Sequence, residues 1–190
     1  MDKFYQLYLH DTAQLLEAVS ATTKNFDNLE LSEAFQSTFL LFNECRQRGN
    51  KIFYIGNGGS STIASHIATD AWKCAGLKAQ TFNDAAGLTC IGNDDGFEHV
   101  FAAPLRILGN PGDILVAISS SGASPDILKA VEVAQEKKIA VITYSGFDEK
   151  NPLRLMGVIN FYVPSRRYGH VEIAHLALCH AILDRFALEQ

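Results

Sequence analysis

Apolar positions recur at helical spacing from Phe4 through Leu15 to Val19. A second helical pattern opens at Ser32, a good N-cap, and closes at Gly49, which suits the left-handed position after a helix. Together they predict an N-terminal helical hairpin over residues 1–49. Past Gly49 the pattern changes to short runs rich in β-branched and aromatic residues: Ile52 to Ile55, Ala79 to Phe82, Ile114 to Ile118, Ala140 to Tyr144 and Val158 to Val163. Helical stretches alternate with them, at roughly Ser60 to Cys74, Gly96 to Leu108, Ser124 to Lys137 and Val171 to Leu188. Strands separated by helices predict an α/β fold over residues 50–190, a three-layer, doubly wound, five-stranded parallel sheet covered on both faces. No linker, repeat or low-complexity stretch divides the chain, so 1–190 reads as one domain.

In an open parallel sheet, ligands bind outside the carboxyl ends of the strands, so the loops after Ile55, Phe82 and Ile118 are where chemistry is expected. The first is Gly56-Asn57-Gly58-Gly59-Ser60-Ser61, opening a helix. Its glycines let the backbone approach a ligand, and the helix start offers unpaired N–H groups to an anion. Alone it reads equally well as a tight strand–helix connection. The loop after Ile118 is Ser119-Ser120-Ser121-Gly122-Ala123-Ser124-Pro125-Asp126, with Ser124 placed as N-cap and Pro125 at the first helical position. Capping accounts for Ser124 but requires no further hydroxyls, and a strand end points such hydroxyls into a crevice as neutral donors. Two such loops in one sheet favour a phosphomonoester ligand.

Composition narrows the partners. The 190 residues are 47% apolar and 19% charged with a net charge of −5, and the densest cationic cluster is Arg166-Arg167, so a nucleic-acid-tracking face is not expected. No apolar stretch approaches membrane-spanning length, and Met1 to Gln6 has no leader-like pattern, so no membrane association and a cytoplasmic location are expected. Cys45, Cys74, Cys90 and Cys179 are widely separated with no CxxC, which reads as four thiols rather than a disulfide framework or thiolate zinc site.

The Gly56 to Ser60 loop, the Ser119 to Ser124 loop, the pair Asn93-Asp94, and a final helix bearing Glu172, His175 and His180, in this order and spacing, resemble the sugar isomerase (SIS) domain, specifically its phosphoheptose isomerase branch. The resemblance spans nearly the whole chain. It implies a homotetramer that interconverts sedoheptulose 7-phosphate and D-glycero-D-manno-heptose 7-phosphate for cell-surface polysaccharide. It also implies substrate contacts from Asn57, Gly58, Gly59, Ser60, Asn93, Asp94, Ser119, Ser120, Ser121, Ser124 and Glu172. By the same resemblance, His66, Asp70, Glu172 and His180 surround the reacting carbons and hold up to one zinc per chain. Two imidazoles and two carboxylates form an acceptable tetrahedral set.

Helical geometry is compatible with this. His66 and Asp70, four apart, stand one turn above the other, and Glu172 and His180 are about 80° and roughly 12 Å apart, near the limit of convergence. Asp70 is the expected base of an enediol aldose–ketose isomerisation, with His180 its acid/base partner. The chain departs from the family pattern at Asp70 (typically Glu), Glu172 (typically Gln), Gly169 (typically acidic) and near Cys74, where the family carries an Arg and Lys73 is the nearest cation. His175 is expected in a core or supporting role. The same fold also serves non-catalytic sugar-phosphate sensors and a replication-initiation partner protein; a convergent Asp70–His180 pair is what distinguishes an isomerase from these.

Overall fold

The computed structural model describes residues 3–188. In chain order the elements are α1 (Phe4–Glu17), β1 (Ser20–Thr23), β2 (Asn28–Leu29), α2 (Leu31–Gln47), β3 (Lys51–Gly56), α3 (Gly59–Cys74), β4 (Lys78–Thr81), α4 (Ala85–Asp94), a 3-10 turn (Phe97–His99), α5 (Ala102–Leu108), β5 (Ile114–Ser119), α6 (Pro125–Glu136), β6 (Ala140–Ser145), a second 3-10 turn (Pro152–Leu155), β7 (Ile159–Tyr162) and α7 (Tyr168–Ala187). The sheet order is β2-β1-β7-β6-β5-β3-β4. The five strands expected from the sequence are its parallel part, and every residue of β5 at its centre is buried. Continuous apolar runs rather than alternation follow from burial on both faces.

Three parts of the chain differ from the sequence reading. The N-terminal segment is not a simple helical hairpin: between its helices β1 and β2 form an antiparallel pair, and β1 also pairs antiparallel with β7, which brings the sheet to seven strands. Four residues, Ser-Ala-Thr-Thr, and then two were too short to register as strands; the turn between them puts Phe26 at a φ of 65°. Helix α4 was also not expected. It carries two glycines, and its start is fixed by Asp84, whose carboxylate accepts from the Gly87 N–H at 3.0 Å. Gly96, at a φ of 96°, then breaks the expected Gly96 to Leu108 helix into a 3-10 turn and α5.

Each face of the sheet carries its own core. Ile52, Tyr54, Val116, Ile118 and Tyr144 pack under α2, α3 and α7, whereas Phe53, Ile55, Leu115, Ala117 and Val141 pack under α5 and α6. β3 and β5 are neighbours from which the chain leaves toward opposite faces, into α3 on one and α6 on the other, and this makes the space between them the switch point of the sheet. Helices α3 and α7 lie side by side. No helix among the described residues is long and apolar enough to cross a membrane, and the four cysteines are thiols.

Candidate active site

The loops leaving β3 and β5 open onto one cavity of about 240 Å³ at the switch point, lined by Asn57, Gly58, Gly59, Ser60, Ser119, Ser120, Ser121, Ser124, Tyr168 and Glu172. Gly58 adopts a φ of 54°, which a side chain would strain, and a Cβ on Gly56 would run into the Ser60 backbone. Ser124 is the N-cap residue of α6, yet its hydroxyl makes no capping bond; it lies 3.2 Å from the Ser119 hydroxyl. Ser119 Oγ also accepts from the Gly122 N–H at 3.2 Å, and Ser121 Oγ from the Ala123 N–H at 3.3 Å. Ser120 Oγ is buried without a partner. The hydroxyls therefore retain donor capacity, and the N-termini of α3 and α6 converge on the same space. Among the described residues no Lys or Arg lines this cavity, so an anion would be held by neutral donors and helix termini.

Gly59 and Glu172 also border a second cavity, of about 360 Å³, which runs between α3 and α7 past Thr62, Ile63, Ile173 and Leu176 to His66. Beside His66 three side chains meet. His66 Nε2 lies 3.3 Å from His180 Nε2 and 3.4 Å from Asp70 Oδ2, and His180 Nδ1 is 3.9 Å from the same oxygen. One donor atom from each falls within 4.8 Å of the others, with Asp70 and His180 half-buried and His66 exposed. The pairing of α3 with α7 produces this: His66 and Asp70 are one turn apart on α3, and His180 comes from the neighbouring helix.

The donor set fits a divalent metal. Two imidazole nitrogens on a tetrahedral zinc, with bonds of about 2.05 Å, stand about 3.3 Å apart, as His66 Nε2 and His180 Nε2 do at 3.3 Å. The expected fourth ligand is not part of the group. Glu172 lies two turns earlier on α7, with its carboxylate directly over Gly59 at the start of α3, so tightly that a Cβ there would strike it. The two turns separating Glu172 from His180 assign them to opposite ends of the site, and the set that converges is His66, Asp70 and His180.

Asn93 and Asp94 line neither cavity. They end α4, where the Asn93 amide donates to Asp94 at 2.7 Å and the Cys90 thiol reaches Asp94 at 3.6 Å. His175 is fully buried with Nε2 3.1 Å from the Ser145 carbonyl, and burial pushes its imidazole down to about 4, so it is a neutral core residue. Arg166 and Arg167 face a separate cleft against α1. Tyr168 begins α7 and lines the serine cavity. Thr62, Ile173 and Leu176 were not expected; the available signals were the one-turn spacing of Thr62 from Gly59 and His66 and of Leu176 from Glu172, and the adjacency of Ile173 to Glu172.

The SIS domain family matches residues 8–146. The phosphoheptose isomerase of Neisseria meningitidis is 36% identical over 151 residues, covering 74% of this chain and 76% of the relative. Among solved structures, the phosphoheptose isomerase of Neisseria gonorrhoeae superposes with a TM-score of 0.84 at 31% identity, over 97% of this chain and 98% of that one. A phosphoheptose isomerase from Francisella tularensis gives 0.83 at 27% identity, over 99% and 100%.

Proposed function

The chain belongs to the SIS domain family, in its phosphoheptose isomerase branch, and is a sugar-phosphate isomerase; we propose that its reaction is the interconversion of sedoheptulose 7-phosphate and D-glycero-D-manno-heptose 7-phosphate. The observation that carries this is the convergence of His66, Asp70 and His180 at the far end of a groove that begins in a serine-lined anion cavity. The phosphate enters the cavity between the N-termini of α3 and α6, where Ser60, Ser119, Ser121 and Ser124 donate to its oxygens. From Gly59 to His66 is seven residues of α3, about 10 Å along the axis, and side chains lean back toward the helix N-terminus, which shortens the gap. An extended heptulose phosphate spans roughly seven bonds from phosphorus to C2, about 8–9 Å at about 1.2 Å per bond. That length is of the order of the groove from Gly59 to His66.

Asp70 Oδ2 faces both imidazoles, which leaves Oδ1 to take the proton from C1 of the open-chain ketose and return it at C2. His180 donates to the C2 oxygen as the enediol forms and receives the proton of the C1 hydroxyl as the aldehyde forms. A divalent metal held by His66, Asp70 and His180 would supply Lewis-acid polarisation of the carbonyl oxygen in place of the proton from His180, whose Nε2 it would occupy. The remote phosphate contributes binding energy and orientation rather than chemistry. A homotetramer and a cytoplasmic location go with this reading.

The test separates binding from turnover. Asp70→Asn keeps the shape of the carboxylate but accepts no proton near neutral pH, so turnover is expected to fall by roughly 10³-fold or more while calorimetric binding of sedoheptulose 7-phosphate persists. His180→Gln is expected to behave alike. Substantial turnover in both variants would remove Asp70 and His180 from the chemistry.

A further inference from the structure

Beneath the serine cavity lies a carboxylate that the chemistry above does not use. Asp126 is the second residue of α6, is 2% exposed, and accepts a hydrogen bond from the Asn57 side-chain amide at 3.0 Å across 69 residues of sequence. Asn57 belongs to the loop after β3 and lines the cavity. An acidic residue in the first turn of a helix is ordinarily explained by the helix dipole, and an exposed position gains that benefit without desolvation. Asp126 is buried instead, with Oδ2 lacking any partner, a cost that the dipole does not require. What its position provides is a tie between the two anion loops, which leave the sheet on opposite faces.

We propose that Asp126 is a positioning residue of the phosphate site, acting through Asn57: it holds the Asn57 amide so that the loop after β3 keeps its polar groups aimed at the phosphate bound between α3 and α6. The inference rests on the sugar-phosphate reading of this cavity. Burial, outweighing the Asn57 amide and the N–H groups of Asp126 and Ile127, raises the Asp126 carboxyl above its ordinary range. Asp126→Asn keeps an oxygen that can accept from Asn57, whereas Asp126→Ala removes it.

Inorganic phosphate binding, measured by calorimetry, tests the tie without relying on turnover. Asp126→Ala is expected to weaken phosphate about tenfold and Asp126→Asn to stay within about threefold of the wild type. Where the alanine chain fails to fold, Asp126→Ser keeps a first-turn hydroxyl but is too short to reach Asn57, and is expected to weaken phosphate likewise. The Asn57→Ala, Asp126→Ala double variant is expected to bind no worse than Asn57→Ala alone, because both act through one bond. With sedoheptulose 7-phosphate, KM is expected to rise about tenfold in Asp126→Ala while kcat stays within about twofold. Unchanged phosphate affinity in Asp126→Ala, a full additional loss on the Asn57→Ala background, or an Asp126→Asn chain as weak as the alanine would each overturn the proposal. A wild type that binds phosphate but turns over no ketose phosphate would overturn the isomerase chemistry while leaving Asp126 testable by binding.

Discussion

Hydroxyls that sit at a helix start yet do not cap it are the residue-scale feature behind the proposed phosphate end. Ser124 is placed to cap α6, but its oxygen turns to Ser119. Ser119→Ala and Ser124→Ala are each expected to raise KM about tenfold or more, the loss of one hydrogen bond to a charged group at about 1.5–3 kcal/mol. Unchanged affinity for sugar phosphates in calorimetry would reassign the loop. At the other end, His66→Ala is expected to lose any zinc found by elemental analysis of the wild type, together with most activity. Bound zinc persisting at wild-type stoichiometry would exclude His66 as a ligand. The spacing of His66 and Asp70 on one helix made two of the three members of this group legible, since residues four apart share a face. Glu172, expected among both the substrate contacts and the ligands, lines the serine cavity; that it lies over Gly59 and apart from the three converging groups was not legible, because this depends on which neighbour α7 meets at that level.

Helix α3 runs beside α7 while its loop faces that of α6, and together these pairings produce a groove with an anion end and an acid–base end. The loop leaving β5 is held from behind by Gly122, at a φ of 63°, against Asn151, whose amide reaches Ser145 Oγ, the Gly146 carbonyl and the Asp148 carbonyl. Gly122→Ala introduces both backbone strain and a clash with Asn151. It is expected to cost about 1–3 kcal/mol in urea unfolding and to weaken phosphate binding. A chain as stable as the wild type, with intact affinity, would show that the loop does not need this backbone. The parallel sheet was legible because strands buried on both faces read as apolar runs. The β1–β2 pair and α4 were not, the first because of its length and the second because of its glycines.

At the scale of the whole molecule, two properties follow from what is buried and what is not. None of α1 is buried, and Tyr5, Leu7 and Leu9 on it are 70%, 57% and 69% exposed, an apolar surface available to another subunit; the proposed homotetramer is expected to show as a tetramer in light scattering at micromolar concentration. A monomer would contradict the expected assembly. Buried His175, held neutral with a pKa near 4 against 6.5 ordinarily, makes stability depend on pH in a defined direction. Below 6.5 the unfolded chain takes up a proton that the folded chain refuses, so its contribution is intact above 6.5 and declines toward 4, by up to about 3 kcal/mol. The urea midpoint is expected to fall across that window, and His175→Gln to flatten the fall; an unchanged slope would exclude His175 as its source. The most direct test of isomerisation itself is NMR of sedoheptulose 7-phosphate with the wild type in D₂O. Formation of the heptose 7-phosphate, with solvent deuterium entering at the carbon that receives the proton and both signals lost in Asp70→Asn, is the expected result. A ketose phosphate that binds yet remains unconverted and unlabelled would contradict it.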